Sequence, residues 1–261
     1  MAEFQLRSLG LFHGSHFAKS SLPRQGHLSK QTGYIEFHSD FDHKLALSGL
    51  EKMSHVWLIF YFHKSESPAK PLVRPPRAPD QQVGVYATRS PYRPNPLGLT
   101  LAKVEKIEKG LFYLSSVDLL DQTPILDIKP YVTESDLAHH PVQGWIDEIQ
   151  PWKFTICDLA QKKIDWLLDK GVPEFYDVLV SQLETPPLQL DRKRIKKISE
   201  NQWVLSYRTW RIYLNIQEDM FLSEVLDIKS GYSQAEILDQ NHDPYFDKSL
   251  HFQFNLIDFK Q

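Results

Sequence analysis

Cysteine is almost absent from this sequence, which has a single one, Cys157, in 261 residues. That excludes intrachain disulfides and cysteine-rich zinc sites, and a reducing cytoplasm is the expected location. Long apolar runs are also missing: the longest, residues 56–62, is far shorter than the ~20 residues of a membrane-spanning helix. The first residues show no charged segment followed by an apolar stretch, so no secretory signal is expected.

Glycine is scarce relative to proline, with 11 glycines against 17 prolines. Neither GxGxxG after a strand nor GxxxxGK[ST] is present, which excludes the two common glycine-dependent phosphate-binding loops. The net charge of −3 excludes a uniformly basic nucleic-acid coat but allows a local basic face. The eleven histidines show no HExxH spacing, so no metal site is expected.

The first 155 residues are rich in strand-like segments separated by turn signals, which predicts a mainly β domain whose sheet closes on itself. The aromatic and β-branched run at 56–62 is typical of a strand buried on both faces. Residues 108–110 predict a hairpin turn, and 44–50 a brief helix. The predicted strands are 4–11, 34–37, 56–62, 83–87, 97–107, 111–117 and 124–131.

Helical spacing begins after this β-rich part, at residues 158–168, and Gly171 fits the end of that helix. Pro173 fits the first turn of a second helix that runs to about residue 183. A small sheet is predicted from three apolar segments, 203–207, 210–216 and 221–228. Residues 156–230 therefore predict a small α+β domain. Residues 231–261 form an extension of unknown role, with strand-like alternation at Phe252, Phe254 and Leu256.

The most informative segment for function is residues 84–100, which carries two arginines and three prolines, Pro91, Pro94 and Pro96. The prolines fix backbone angles, so the loop loses little entropy on binding. Arg89 and Arg93 can each bind a carboxylate or phosphate through two hydrogen bonds. The segment predicts a preorganised anion-binding loop; the alternative is a proline-rich turn with two solvated arginines.

A second segment, residues 118–131, places three carboxylates among apolar residues: Asp118, Asp121 and Asp127. A carboxylate here could bind ribose hydroxyls or an ammonium group, or act as a base. The residues alone favour the alternative, an Asx-type turn at Asp121 and a strand-edge ion pair of Asp127 with Lys129.

Smaller features are His63 at the end of a predicted strand, which could donate to a ligand, and the polar turn at Pro23-Arg24-Gln25. Basic residues cluster at 192–197 and at three positions upstream, Lys70, Arg74 and Arg77. Either cluster could follow a phosphate backbone, although a charge run is more often a solvated face.

Together these segments resemble the TrmO family, also called the TsaA-like or YaeB-like family, of tRNA methyltransferases. The resemblance covers residues 4–155 and, less closely, 160–230. Its most specific parts are TRSPYRPNPLG at 88–98 and DQTPILDIKPY at 121–131, and Pro23-Arg24-Gln25 and Phe62-His63 agree in order and spacing.

The resemblance implies a single-sheet TsaA-like β-barrel at residues 1–155 that binds S-adenosylmethionine without a Rossmann domain. It also implies a small C-terminal domain and a homodimer. The family reaction is methyl transfer to N6 of an adenosine that carries a threonylcarbamoyl group, beside the anticodon of threonine tRNA. A non-catalytic RNA-binding module and a small-molecule methyltransferase are the alternatives.

The resemblance also implies site residues. The cofactor contacts fall at Pro23, Arg24, Gln25, His63, Lys64, Arg89, Leu99, Asp121, Gln122, Thr123 and Pro124. His63 and Asp127 are the candidate bases, and Arg93 and Arg74 the candidates for the threonyl carboxylate. Because the positive charge on sulfur disappears in the transition state, a carboxylate at sulfur would slow the reaction. We therefore expect Asp121 to contact the ribose or the ammonium group.

Two positions depart from the family pattern. Gln122 stands where the family usually has glycine, and it strains the loop if that glycine requires a positive φ. After the second helix the family usually has Asp-Pro-Arg-Pro, whereas residues 184–187 here are Glu-Thr-Pro-Pro. If the missing arginine contacts tRNA, the basic run at 192–197 is the candidate substitute.

Overall fold

The computed structural model describes residues 4–172, 174–188, 194–239 and 243–259. Pro173, Arg192 and Lys193 lie outside the described residues. Contacts divide the chain into two units: Met1–Ile149 with Tyr176–Ser181, and Gln150–Phe175 with Gln182–Gln261. The predicted domain limits at 155 and 230 stay predictions, because compactness does not show where a domain folds independently.

The first unit is a closed barrel of six antiparallel strands in the spatial order β1-β2-β7-β6-β3-β8. Its elements are β1 (Gly10–His13), β2 (Thr32–Phe37), α1 (His43–Ala46), β3 (His55–Tyr61), β4 (Leu72–Val73), β5 (Val83–Gly84), β6 (Leu97–Glu108), β7 (Leu111–Ser115), β8 (Thr123–Pro130) and α2 (Thr133–Asp136). The predicted single-sheet barrel and the hairpin between β6 and β7 are confirmed. Closure leaves no edge strand in this sheet to pair with other chains.

The barrel core consists of the inward side chains of alternating residues, such as Phe12, Leu58 and Phe112. The prediction that residues 56–62 are buried on both faces is wrong. Along β3, buried residues alternate with partly exposed ones, because a closed barrel has one interior face and its outer face is not covered by a second layer.

Three predicted elements differ in extent from those in the structure. The strand predicted at 4–11 begins only at Gly10. The strand predicted at 83–87 is the short β5 followed by a 3-10 turn at Val85–Ala87. The helix predicted at 44–50 is the single turn α1, which ends before the left-handed Gly49.

The second unit contains a five-stranded sheet in the order β10-β11-β12-β13-β9. Its elements are β9 (Lys153–Ile156), α3 (Asp158–Asp169), α4 (Glu174–Leu183), of which Tyr176–Ser181 group with the first unit, β10 (Ile195–Lys197), β11 (Gln202–Tyr207), β12 (Trp210–Gln217), β13 (Leu222–Ser230), α5 (Gln234–Leu238) and α6 (Lys248–Asn255). The two predicted helices and the three predicted strands are present. Sequence reasoning missed β10 and β9, which pairs in parallel with β13. No helix in the described ranges is long and apolar enough to cross a membrane.

The strand-like interpretation of residues 252–256 is wrong, because these residues belong to the end of α6 and the turn after it. His251 and Phe254, three residues apart, are the buried side chains there, whereas Phe252 and Leu256 are exposed. His251 stacks on Trp210 with ring centroids 3.7 Å apart. The buried face therefore follows helical spacing and includes a histidine, which a count of apolar residues does not detect.

Candidate active site

The predicted functional segments leave the barrel at one end. Phe12 near the end of β1 lies opposite Thr123 at the start of β8. Tyr61 at the end of β3 lies opposite Leu97 at the start of β6. We call this end of the barrel, where β1 and β3 finish and β6 and β8 begin, the site end. The antiparallel arrangement brings segments distant in sequence together there.

Asp121 lies in the turn that leads into β8, and the loop after β1 holds it there. Its Oδ1 accepts a hydrogen bond from Gly14 N at 3.2 Å, and its own N–H donates to His16 O at 2.7 Å. His13 Nδ1 is 3.9 Å from the same carboxylate. The carboxylate therefore has a fixed position at the site end. Its Oδ1 partner is the amide of Gly14 in the β1 loop, which differs from the Asx-type turn weighed above.

His63 follows β3 and approaches the start of β8. Its Nδ1 lies 3.5 Å from Thr123 Oγ1, which donates to Leu120 O at 2.7 Å. Burial lowers the pKa of His63, the charges of Lys64 and Lys19 lower it further, and Asp121 opposes the shift. The imidazole is therefore predominantly neutral at neutral pH, with one ring nitrogen able to accept a proton.

Asp118 is a titratable residue of the site end that was not among the predicted cofactor contacts or bases. Burial raises the pKa of this carboxyl, against the opposing effects of a Thr100 hydrogen bond and the charges of Arg89 and His27. Arg89 and His27, which lies in the turn after Gln25, are therefore both close enough to Asp118 for their charges to act on its carboxyl group. The spacing of Asp118 and Asp121 did not reveal which was buried, because both follow apolar residues.

The Pro23-Arg24-Gln25 turn lies against the barrel wall through the residue that follows it. A Cβ atom added to Gly26 would lie 2.4 Å from Ser116 O and 2.8 Å from Thr100 Oγ1. Pro23 is buried, whereas Arg24 is exposed. Gly26 therefore allows the turn to lie against the barrel wall, while Arg24 is exposed to solvent.

The two arginines of the proline-rich loop have different surroundings. Arg93 Nε donates to Ser90 O at 2.8 Å, and its Nη2 donates to Thr88 O at 2.5 Å and to Val85 O at 3.3 Å. These bonds fold the loop around the Arg93 guanidinium. Arg89, by contrast, has an exposed side chain.

Besides His13 Nε2, which lies 3.2 Å from Glu36 Oε2, four buried polar side-chain atoms near the site end have no hydrogen-bond partner among the described residues: Asp118 Oδ1, His63 Nε2, Ser15 Oγ and Ser65 Oγ. In native proteins such atoms are rare and indicate a bound molecule or ordered water. Both acceptors and donors are present, together with the exposed cations Arg24 and Arg89. This set fits a polar ligand that carries carboxylate, ammonium and hydroxyl groups.

The family model for the N-terminal domain of tRNA-methyltransferase O matches residues 11–137. A probable S-adenosyl-L-methionine-binding protein of Pyrococcus abyssi is 34% identical over 143 residues, which cover 54% of this chain and 76% of that protein. The chain belongs to the TrmO family.

Other relatives of this TrmO family member extend the comparison. The human tRNA (adenine(37)-N6)-methyltransferase is 50% identical over 103 residues, which cover 39% of this chain and 23% of that enzyme. The crystal structure of TrmO from Pseudomonas aeruginosa has a TM-score of 0.60 at 27% identity and covers 88% of this chain and 99% of that one. The chain spans only 21% to 54% of the length of the first curated relatives it matches.

The TrmO glycine position is left-handed in this chain, since Gln122 has a φ of 64°. The turn therefore keeps the geometry that favours glycine, although the residue is glutamine. Gln122 N donates to Phe12 O at 2.8 Å, and its side-chain amide lies 3.1 Å from His13 Nδ1. Glutamine is therefore strained at this position, and the neighbouring Asp121 is held by the Gly14 amide.

Three other TrmO-derived site residues have side chains that face outward or are exposed. Asp127 faces outward and forms an ion pair of 2.9 Å with Lys129, which is the alternative weighed from the residues alone. It is four residues beyond Thr123 on β8, a distance of about 13 Å. Leu99 lies on the outer barrel face with 48% of its surface exposed. Arg74 follows β4 and is exposed.

A β-bulge explains the outward position of Asp127. Thr123 and Ile125 are buried, so strict alternation would place Asp127 inside the barrel. The register instead shifts by one residue, because Phe60 pairs with Ile125 while Ile59 pairs with Asp127. The extra residue turns Asp127 to the outside.

Proposed function

We propose that this chain binds S-adenosylmethionine at the site end and methylates N6 of a threonylcarbamoylated adenosine in threonine tRNA. Family membership and the tRNA (adenine(37)-N6)-methyltransferase named among its relatives support this proposal. The observation that carries it is the pair of buried polar atoms without partners, Asp118 Oδ1 and His63 Nε2, at the end of the barrel where the family motifs meet.

S-adenosylmethionine supplies, when bound, a methyl group on a positively charged sulfur. The chain must hold the nucleoside and the amino-acid part of this molecule without stabilising the sulfonium charge. Asp121 suits a ribose hydroxyl or the ammonium group, because its carboxylate is held by the Gly14 amide. Arg24 and Arg89, both exposed cations, suit the methionyl carboxylate.

The accepting ureido nitrogen must lose its proton as the new bond forms. His63 is the better of the two predicted bases, because its lowered pKa keeps the ring neutral and its Nε2 has no partner among the described residues. Asp127 is held by Lys129 on the outer face. Alignment of the reactants alone can contribute about 7–11 kcal/mol, so a modest base suffices.

The threonyl carboxylate of the substrate requires a cation that is not already engaged in the fold. Arg93 is engaged, since three backbone carbonyls of its own loop accept from it. Arg74 is exposed beyond the short β4–β5 hairpin. We therefore assign the substrate carboxylate to Arg74 and the shape of the proline-rich loop to Arg93.

The activity is tested with labelled S-adenosylmethionine and total tRNA from cells with and without the threonylcarbamoyl modification. We expect label only in the modified tRNA. Label in both preparations would support a tRNA methyltransferase but refute the threonylcarbamoyl requirement. Binding of tRNA without transfer would favour a non-catalytic RNA-binding module, and transfer only to small molecules would favour the other alternative.

The cofactor assignment is tested by isothermal calorimetry of Arg89→Ala. Loss of one charge-assisted contact corresponds to about 1.5–3 kcal/mol, so we expect S-adenosylmethionine affinity to fall at least tenfold. Lys44→Ala is the matched control, because it removes one exposed positive charge in α1, which follows β2 at the opposite end of the barrel. Equal affinity of Arg89→Ala and wild type would remove Arg89 from the site.

The homodimer and the cytoplasmic location also belong to this proposal. Tyr61 and Leu99 expose 41% and 48% of their surfaces on neighbouring strands at the site end. A second copy of the chain would cover these apolar side chains. Light scattering after size-exclusion chromatography gives the oligomeric state directly, and a monomer at micromolar concentration would refute the dimer.

A further inference from the structure

One carboxylate of α4, Asp177, is fully buried and accepts three hydrogen bonds. Its Oδ1 accepts from Lys30 N at 2.7 Å, and its Oδ2 accepts from Ser29 Oγ at 2.6 Å and from His16 Nε2 at 2.9 Å. Asp177 lies 40 residues beyond the part of the chain that the family model matches, which ends at residue 137.

The three donors lie near the two ends of the same loop. This loop, residues 14–31, joins β1 to β2 and carries the Pro23-Arg24-Gln25 turn. His16 lies near its beginning, and Ser29 and Lys30 lie near its end. One buried carboxylate therefore ties the two ends of the candidate cofactor loop together.

Gln31 provides a second connection between the same loop and the site end. Its Oε1 accepts from the N–H groups of residues 15 and 16 at 2.9 and 3.2 Å. Its Nε2 donates to Leu119 O at 2.9 Å and to Val117 O at 3.2 Å, on either side of Asp118. The loop closed by Asp177 is thus also joined to the segment that carries Asp118.

We infer that Asp177 is a positioning residue that holds the loop of residues 14–31 in the shape required to bind S-adenosylmethionine. This inference rests on the proposed function. Asp177 touches neither cofactor nor substrate in this role. It acts through His16, Ser29 and Lys30, and its loss lowers the fraction of molecules whose loop is ready to bind. The apparent dissociation constant rises in inverse proportion to that fraction.

Asp177→Asn is the informative variant, because it keeps the shape of the side chain. An amide has one oxygen, and both oxygens of Asp177 accept hydrogen bonds. An NH₂ group at the Oδ1 position faces the Lys30 amide, which cannot accept, and at the Oδ2 position it requires Ser29 and His16 to turn from donors into acceptors. In either orientation the charge-assisted bonds of the carboxylate become weaker neutral ones, so the connection is weakened. Val180→Ala is the matched control, since Val180 is buried in the same helix but has no polar group.

The test compares three measurements for wild type, Asp177→Asn and Val180→Ala: S-adenosylmethionine affinity by calorimetry, kcat at saturating cofactor, and hydrogen exchange of residues 14–31. For Asp177→Asn we expect at least a tenfold loss of affinity, at least a tenfold rise in the cofactor KM, kcat within threefold of wild type, and faster exchange in the loop but not in the β6–β7 hairpin. Val180→Ala should bind within twofold of wild type.

The inference is overturned if Asp177→Asn binds as tightly as wild type, or if Val180→Ala loses as much affinity. Should Asp177→Asn fail to fold, Ser29→Ala removes a single donor, and we expect about a threefold loss of affinity; no loss overturns the inference. A wild-type chain that does not bind S-adenosylmethionine at all would instead refute the proposed function, so the two failures are distinguishable.

Discussion

Replacing Gln122 by glycine should stabilise the barrel, because Gln122 has a left-handed backbone that glycine adopts without strain. Its φ is 64°, and the neighbouring contacts hold it there. Gln122 N donates to Phe12 O, and Asp121 N donates to His16 O, so the turn cannot relax without loss of both bonds. The strain is therefore present in the folded state.

The magnitude follows from two opposing effects. A left-handed conformation costs a residue with a Cβ about 1–2 kcal/mol, and glycine avoids this cost. Glycine also gives the unfolded chain more freedom, which lowers stability by about 0.4–1 kcal/mol. The hydrogen bond between the Gln122 amide and His13 is exposed and complicates a comparison with wild type. Gln122→Ala removes this bond but keeps the strain, so it is the proper reference.

We expect Gln122→Gly to exceed Gln122→Ala in free energy of unfolding by about 0.5–1 kcal/mol, measured by urea titration. The backbone of the turn is the same in both variants, so the affinity for S-adenosylmethionine should agree within threefold. If the alanine variant is as stable as the glycine variant, the turn does not have the left-handed geometry. A rise of more than tenfold in affinity for the glycine variant would mean that glutamine distorts the site.

Three further predictions concern other parts of the chain. Gly98→Ala should lose about 1–3 kcal/mol in urea unfolding, since the new Cβ would lie 2.2 Å from the buried Phe60 ring; wild-type stability would contradict this packing. Burial raises the pKa of Asp118, so the wild type loses stability as pH rises through that pKa. The free energy of unfolding of Asp118→Asn should therefore exceed that of wild type by more at pH 7 than at pH 3, and equal differences would refute the burial of the Asp118 carboxyl. If the exposed Lys196 and Lys197 of β10 bind tRNA phosphates, alanine at both should lower the slope of log affinity against log salt by about 1.4–1.8, and an unaltered slope would mean a solvated face.

The strands of the barrel were predictable because their signals are local. The 97–107 and 111–117 segments flank Lys109 and Gly110, and both of these have positive φ in the turn between β6 and β7. Short strands with such turns at regular spacing indicate a closed or nearly closed sheet. The number of strands and their order depend on pairings between distant segments, which the pattern of one strand does not contain.

The members of the candidate site were predictable from motifs, but their burial was not. Asp118, Asp121 and Asp127 are three similar carboxylates in one segment of sequence. A single β-bulge opposite Ile59 and Phe60 decides that Asp127 faces outward, and one buried oxygen distinguishes Asp118. A bulge depends on the partner strand, so no spacing within residues 118–131 could reveal it.

The residues that hold the candidate site in place are the least accessible to sequence reasoning. Asp177 and His16 are 161 residues apart, and their contact is fully buried. Asp177 lies within the amphipathic pattern of a predicted helix, where an aspartate normally indicates the solvent side. Its burial is explained by the hydrogen bonds that it accepts from His16, Ser29 and Lys30, because an unpaired buried carboxylate would be strongly destabilising. Residues 176–181 therefore belong to the barrel by their chemistry, although the order of the sequence places them after it.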